Sequence, residues 1–427
     1  MQRMQGISRV GAGWFSGPVA GWSSGRVGKW PRGRAIRQAA ARTVTAVSVV
    51  ALAALAVAPT PAVAQPDEAG SAADKTRKQI LRKAKDQAVK RIAVAARSDQ
   101  PELRMNAIEA MQPLPNRARP LAELGLNDDN KAVRFAALVT VGKLELKSLG
   151  EAAKARIDAE EPSIRAAALY AAHQCGYQVD LSPLARLAAS PDPTVRGNAV
   201  LVLGLMGEPS AKAMLESVGK APMPKADGAR EAVVRIQIGE ALVRLGDDSA
   251  LEPLRAAVYS RHLEARVLAV TVLGKLGDRK IIGALQPLLE QPPIELQLAA
   301  AKALARLSQQ GEMPGTIAVA QDVLLKGAGM NQKQVRQRAE RFLNQSNRQQ
   351  VDARFKRLLK DKALRRSVAA NLRTQAAFGL AHLPRKKAAR RLVKLMKNDR
   401  SPRVKLAAAA AIVEALAGDS PRKAAAR

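Results

Sequence analysis

Apolar residues return along this chain at helical spacing, and the helices they mark return in turn. Between residues 190 and 277 the segments "SPDPTVRGNAVLVLGLMG", "EAVVRIQIGEALVRLG" and "EARVLAVTVLGKLG" share one frame around an arginine. The residue before the arginine is usually apolar (Val133, Ile164, Val195, Val234). Three after it comes a small or aliphatic residue, such as Ala137, Ala168, Ala199, Ile238, Ala269 or Ala300. Seven after stand Leu203, Leu242, Leu273, Leu304, Leu343 and Leu380, and ten after stand Met206, Leu245, Leu276, Leu307 and Leu383. At ~100° per residue these offsets share one side of a helix, so each frame predicts a short helix with one buried stripe.

The ends of that helix are written as well. Gly176, Gly207, Gly246 and Gly277 stand eleven after the basic residue, where a left-handed conformation stops a helix. Pro101, Pro162, Pro193 and Pro402 stand three before it, suited to the first helical position, and Asp192, Glu161 or Ser401 precede them as capping groups. A second helix fills the rest of each unit, as in "DDSALEPLRAAV" and "DRKIIGALQPLLE". Neither helix can bury its apolar face alone, so the pair is the structural unit.

The frame falls at Arg104, Arg134, Arg165, Arg196, Arg235, Arg266, Gln297, Arg336, Arg373 and Lys405, with a dominant step of 31 residues. A period of that length over three hundred residues is the mark of a solenoid. The motif Asp-x-Val-Arg-x-x-Ala, followed by Leu-Gly-x-Leu-Gly and an "A-L-x-P-L" companion, resembles HEAT-like repeats of the short phycobilisome-lyase type. The resemblance spans roughly 98–417, strongest over 190–307 and degenerate over 310–372. It implies an all-α solenoid, a right-handed superhelix of about ten helix pairs, in which recurrent Asp and Arg form a ladder between adjacent units. Arg134, Arg165, Asp192, Arg196, Arg235 and Arg266 are the expected members, with Arg165 beside Glu161 and Arg196 beside Asp192. An arginine present in every unit points to architecture and not to one active site.

The ends of the chain depart from this periodicity. Residues 43–58, "TVTAVSVVALAALAVA", are apolar, follow Arg32, Arg34, Arg37 and Arg42, and precede Ala62-Val63-Ala64. A basic flank, a short apolar core and an A-x-A site predict a secretory signal removed after Ala64, leaving no transmembrane span in the mature chain. The expected organisation is then a signal at 1–64, a basic helical cap at 65–97, regular repeats at 98–308 and an irregular insertion at 309–334. Degenerate basic repeats at 335–417 and a disordered tail at 418–427 complete it. The one cysteine, Cys175, allows no internal disulfide in an exported chain, so packing alone must hold it.

Charge changes the picture at one end only. The net charge is +33 over 427 residues. Residues 65–329 are almost balanced, whereas 330–427 hold 26 basic and 6 acidic side chains. Within "PRKKAARRLVKLMKNDR", Lys387, Arg390, Arg391, Lys394 and Lys397 recur at helical steps opposite Ala388, Leu392 and Leu395. With Arg336, Arg338 and Arg341 they are the candidate surface for a protein partner or an anionic envelope polymer.

Other chemistry finds little support. His173, His262 and His382 are followed by Gln174, Leu263 and Leu383, so the His-Glu pairs of HEAT-like iron hydroxylases are missing. Cys175 occupies a core position, no metal-ligand spacing occurs, and no phosphate loop or nucleophile elbow is present. The expectation is a non-catalytic exported scaffold without cofactor or metal. A bilin-lyase-type enzyme and a nucleic-acid-binding solenoid are the alternatives; export and the absence of tryptophan beyond Trp30 argue against nucleic acid.

Overall fold

The computed structural model describes residues 66–345, apart from 292 and 312, and residues 353–417. The predicted signal at 1–64 and the tail at 418–427 lie outside the described residues. Among those described there are twenty α-helices and no strand. None of these helices is long and apolar enough to cross a membrane.

Nine helices form an inner row: α2 (Pro101–Met111), α4 (Lys131–Lys143), α6 (Pro162–Gln174), α8 (Pro193–Met206), α10 (Gly228–Arg244), α12 (Leu263–Leu276), α14 (Ile294–Leu307), α18 (Lys362–Ala381) and α20 (Pro402–Ala417). Each packs on the next. The buried stripe follows the frame: Ala107, Ala137, Ala168, Ala199, Ala269, Ala300, Ala376 and Ala408 are all fully buried. Small residues let the helices close up. A Cβ on Gly142, Gly204 or Gly274, eight after the frame residue, would lie within 3.1 Å of backbone at Ala171, Ala241 or Ala303 of the next inner helix. Gly176, Gly207, Gly246 and Gly277 end their helices with φ between 78 and 92°, the conformation that favours glycine.

Short helices cover the outside: α3 (Pro115–Leu126), α5 (Gly150–Lys154), α7 (Ser182–Ala188), α9 (Lys212–Lys220), α11 (Leu251–Ala257) and α13 (Ile282–Leu288). The stretch expected as an irregular insertion holds a regular outer helix, α15 (Pro314–Ala328). It buries Ile317, Ala320, Leu324 and Ala328, a stripe at steps of three and four that the lost frame glycine hid. The frame at Arg336 also behaves differently. Its helix, α16 (Gln332–Gln345), packs on α17 (Ala353–Lys360) and α18, while α14 touches α18 directly. The inner row therefore has nine members and not ten. Between residues 332 and 341, α16 fully buries only Val335 and Ala339, whereas α14 buries ten residues. So polar a helix cannot be flanked by apolar neighbours on two sides.

The row also closes on itself. α20 packs against α2, and the thirty-residue α1 (Pro66–Ala95) lies along α20 and along the outer helix α19 (Lys386–Asn398). Leu81, Ala84, Ala88 and Ile92 on α1 are buried in the seam. Arg77 of α1 donates from Nη2 to the carbonyl of Ala381 at 2.8 Å, placing a cation at the C-terminus of α18. The solenoid curls until its two ends meet, and α1 clasps them.

Candidate functional site

The recurrent arginines hold loops. Arg104 spans Asp128 Oδ2 at 2.7 Å and Asp129 Oδ1 at 2.9 Å in the loop entering the next unit. Arg134 reaches Glu161 Oε1 at 2.6 Å, and Arg373 reaches Asp399 Oδ2 at 2.7 Å. Arg196 is buried and binds four carbonyls: Ala189 and Ser190 before its own helix, Ala221 and Pro222 before the next. Arg235 bonds Gly219 O and Glu231, and Arg266 donates to Val258 O at 3.1 Å. The pairings expected within one unit are not the ones formed. Asp192 accepts from the Thr194 and Val195 amides as a helix cap, and Glu161 serves Arg134 of the preceding unit. A carboxylate at the start of a helix is consumed by first-turn amides, so the arginine four residues on looks elsewhere. The Arg165 guanidinium has no hydrogen-bond partner among the described residues.

Of the basic surface, Lys387, Arg390, Lys394 and Lys397 are exposed on α19 and have no ion-pair partner among the described residues. Arg391 leaves the stripe. It is half-buried and donates from Nη2 to Ala328 O at 2.7 Å. Arg336 and Arg341 are exposed on α16, Arg336 bonding Glu340 at 2.7 Å, while Arg338 is half-buried. Both α16 and α19 are seated on α18.

A second charged site appears only in three dimensions. Offsets five and nine of the frame face away from the buried stripe, toward the centre of the ring. Offset nine carries Lys143, Arg244, Lys275, Arg306, His382 and Glu414; offset five carries Glu109, Glu240, Thr271, Lys302 and Phe378. Because the last inner helix packs on the first, long side chains at these offsets come within electrostatic reach of one another. Charges on distant helices feel one another: burial depresses the Lys143 ammonium on α4, and Lys275 on α12, four places away in the row, adds to the fall.

Part of this charge is paired. Buried Glu240 accepts from Lys275 Nζ at 2.9 Å and from Arg244. Lys143 Nζ lies 2.7 Å from Gln112 Oε1, and Gln112 donates to Thr140 Oγ1 at 2.8 Å. Lys302 and Arg306 are different: neither has a carboxylate within ion-pair distance among the described residues. Lys302 stands 5.5 Å from the Phe378 ring centre. Burial pushes its ammonium down to about 8, against the pull of Glu414 and with Arg306 and Lys275 adding to the fall. Burial also raises the Glu414 carboxyl, although Lys302, Arg306, Lys143 and Lys275 oppose it. His382 Nε2 is 3.9 Å from Glu414 Oε1, buried and without a hydrogen bond. Its imidazole falls to about 3 through burial, then Arg306, Lys302 and Arg77. Thr271, Gly274, Lys275, Lys302, Ala303, Arg306 and Glu414 wall a small recess between α12, α14 and α20.

The HEAT-repeat family model matches residues 150–224, the span from α5 to α9. Residues 150–224 carry HEAT repeats. Among solved structures, the complex of CpcE and CpcF of phycocyanin lyase from Nostoc sp. PCC7120 is 20% identical, covers 64% of this chain and 91% of that one, and has a TM-score of 0.26. Human deoxyhypusine hydroxylase in complex with glycerol is 14% identical over 82% of this chain and 99% of that one, with a TM-score of 0.31. A Kap121p mutant is 12% identical over 70% and 37%, with a TM-score of 0.27. No curated protein matches the chain.

Sequence reasoning read the HEAT frame for its buried offsets and passed over the other face. The signal was present: offset nine is Lys or Arg in four units and His or Glu in two. A solvated convex surface would show the same residues, so their convergence needed the ring. Cys175 is buried and free, and burial pushes its thiol up. No group of three or more His, Cys, Asp or Glu able to hold a metal occurs among the described residues.

Proposed function

We propose that this HEAT-repeat protein is an exported, non-catalytic scaffold that seats an acidic protein partner on the cationic face of α19. One observation carries the reading. Lys387, Arg390, Lys394 and Lys397 are exposed on one helix with no carboxylate partner among the described residues. Meanwhile Ala388, Leu392, Leu395 and Met396 fix the opposite side in the core. A rigid row of uncompensated cations attracts a complementary acidic surface and steers its approach. Export is supported by the basic flank, the apolar run at 43–58 and Ala62-Val63-Ala64. The non-catalytic reading is supported by the repeat arginines, most of which are engaged with loop carbonyls and carboxylates.

The test compares residues 65–427 with a variant carrying Lys387→Glu, Arg390→Glu, Lys394→Glu and Lys397→Glu, each cross-linked in the native envelope. Capture of an acidic protein by the unaltered chain, weakened by salt and lost in the variant, is expected. Retention of every captured partner by the variant removes the reading, and a chain recovered with its signal intact in the cytoplasm removes export.

A further inference from the structure

Closure of the row does more than join its ends: it lays two basic helices side by side. α1 lies along α19. Arg77, near the start of α1, holds the C-terminus of α18, the helix that leads into α19. The two therefore begin together and run the same way. Contacts further round fix their flanks. Val89 and Ala93 of α1 face α3 across a groove, so the flank away from it, with Ile80, Lys83, Lys90 and Val94, turns toward α19. Arg391 of α19 reaches back to Ala328 of α15, so the flank away from it, with Arg390, Val393 and Lys397, turns toward α1.

Lys83, Lys90, Arg390 and Lys397 are exposed, and none has an ion-pair partner among the described residues. Asp86 of α1 leans by its helical step to the α3 side. Between the rows, Ile80 and Val393 are half-buried against the core. Lys83 and Lys90 stand seven residues apart, as do Arg390 and Lys397. Two helical turns rise ~10 Å, and packed helices lie about 8–10 Å axis to axis. Four uncompensated cations thus mark the corners of a rough square with an apolar floor. At that spacing, near a Debye length of ~8 Å, they repel across the seam.

We propose that the seam between α1 and α19 seats an acidic amphipathic helix of a protein partner. The proposal rests on the reading that α19 receives an acidic partner, and widens that site to the other end of the chain. Spacing chooses a helix over a strand. A helix laid along the seam repeats its faces every seven residues, so its carboxylates keep step with both rows. An extended segment covers the same rise in about three residues, an odd number, and turns alternate side chains away. An apolar stripe on the partner meets Ile80 and Val393, and carboxylates on either side of it meet the cations. Such a partner touches the first and last outer helices at once, so it binds the closed ring and favours closure.

Fluorescence anisotropy of a labelled synthetic helix titrated with residues 65–427 tests this. The probe has three heptads, with leucine at the first and fourth places and glutamate at the fifth and seventh. Saturable binding that weakens with salt is expected. Lys83→Glu with Lys90→Glu should weaken it at least tenfold although α19 is untouched, and Arg390→Glu with Lys397→Glu should do the same. Lys83→Arg with Lys90→Arg, which keeps the charge, should retain binding, and circular dichroism checks that each variant is folded. A peptide of equal composition with its glutamates spread around the helix should bind at least tenfold more weakly. Loss in the α19 pair with unchanged affinity in the folded α1 pair overturns this proposal and leaves α19 as the partner site. Unchanged affinity in the α19 pair overturns both readings. No saturable binding by the unaltered chain, or equal binding of the redistributed peptide, overturns the acidic helix without touching the reading of α19.

Discussion

At the scale of residues, the arginine that gives the chain its rhythm works by gathering carbonyls. Arg196 shows this most fully, since its guanidinium joins two loops with no carboxylate in the set. Arg196→Met keeps much of the volume and strands those carbonyls. It should lower unfolding free energy by on the order of 3 kcal/mol, read from urea midpoints at unchanged m-value. Gly274→Val addresses the contact with Ala303, whose Cα lies 2.8 Å from the position of an added Cβ. The two inner helices must part, at a cost of about 1–3 kcal/mol in the same measurement. His382 sets a pH dependence. Its imidazole titrates at about 3 when folded against 6.5 ordinarily, so between those values the unfolded chain binds the extra proton. Its contribution is whole above 6.5 and drains away as pH falls toward 3. His382→Asn should flatten that part of the stability profile measured by denaturant titration from pH 7 to 4.

At the scale of elements, polarity decides where a helix sits. α16 and α19 each bury one narrow side and stay outside, whereas α14 and α20 are apolar around most of their girth and are flanked by helices in the row. The charged side of α19 therefore has little to do with stability. Replacing Lys387, Arg390, Lys394 and Lys397 by Gln should move the melting temperature by no more than a degree or two. Each like-charge pair removed relieves only about 0.2–0.5 kcal/mol, and surface changes rarely matter more. A thermal melt followed by circular dichroism checks it; a large drop would mean that these cations hold the fold and not a partner.

At the scale of the whole molecule, α1 decides the shape. Its buried side joins the last helices to the first, so Leu81→Asp with Ile92→Asp places two charges in the seam. Small-angle scattering should show a larger radius of gyration while far-ultraviolet circular dichroism stays helical, because the remaining pairs keep their neighbours. Cutting the chain at residue 329 removes α16 to α20 and so opens the ring as well as deleting the basic surface. Charge reversal on α19 separates those two effects, which truncation cannot.

What the amino-acid order determined alone was local and periodic: the inner helices, their stop glycines, their capping residues and the stripe by which each pair joins the next. These follow from steps of three and four along the chain and from one frame repeated, and a neighbour 31 residues away is close enough in sequence for the pattern to announce it. The ladder partners were less legible, since Glu161 stands near Arg165 in sequence but binds Arg134. The central charge cluster was visible only as charged residues recurring at one offset, not as a place where they meet. Lys143, Lys302 and Glu414 stand on helices far apart in the chain, and they meet only because small rotations between successive pairs add up to a full turn. Curvature accumulates from every interface together, and no single stretch of sequence carries it.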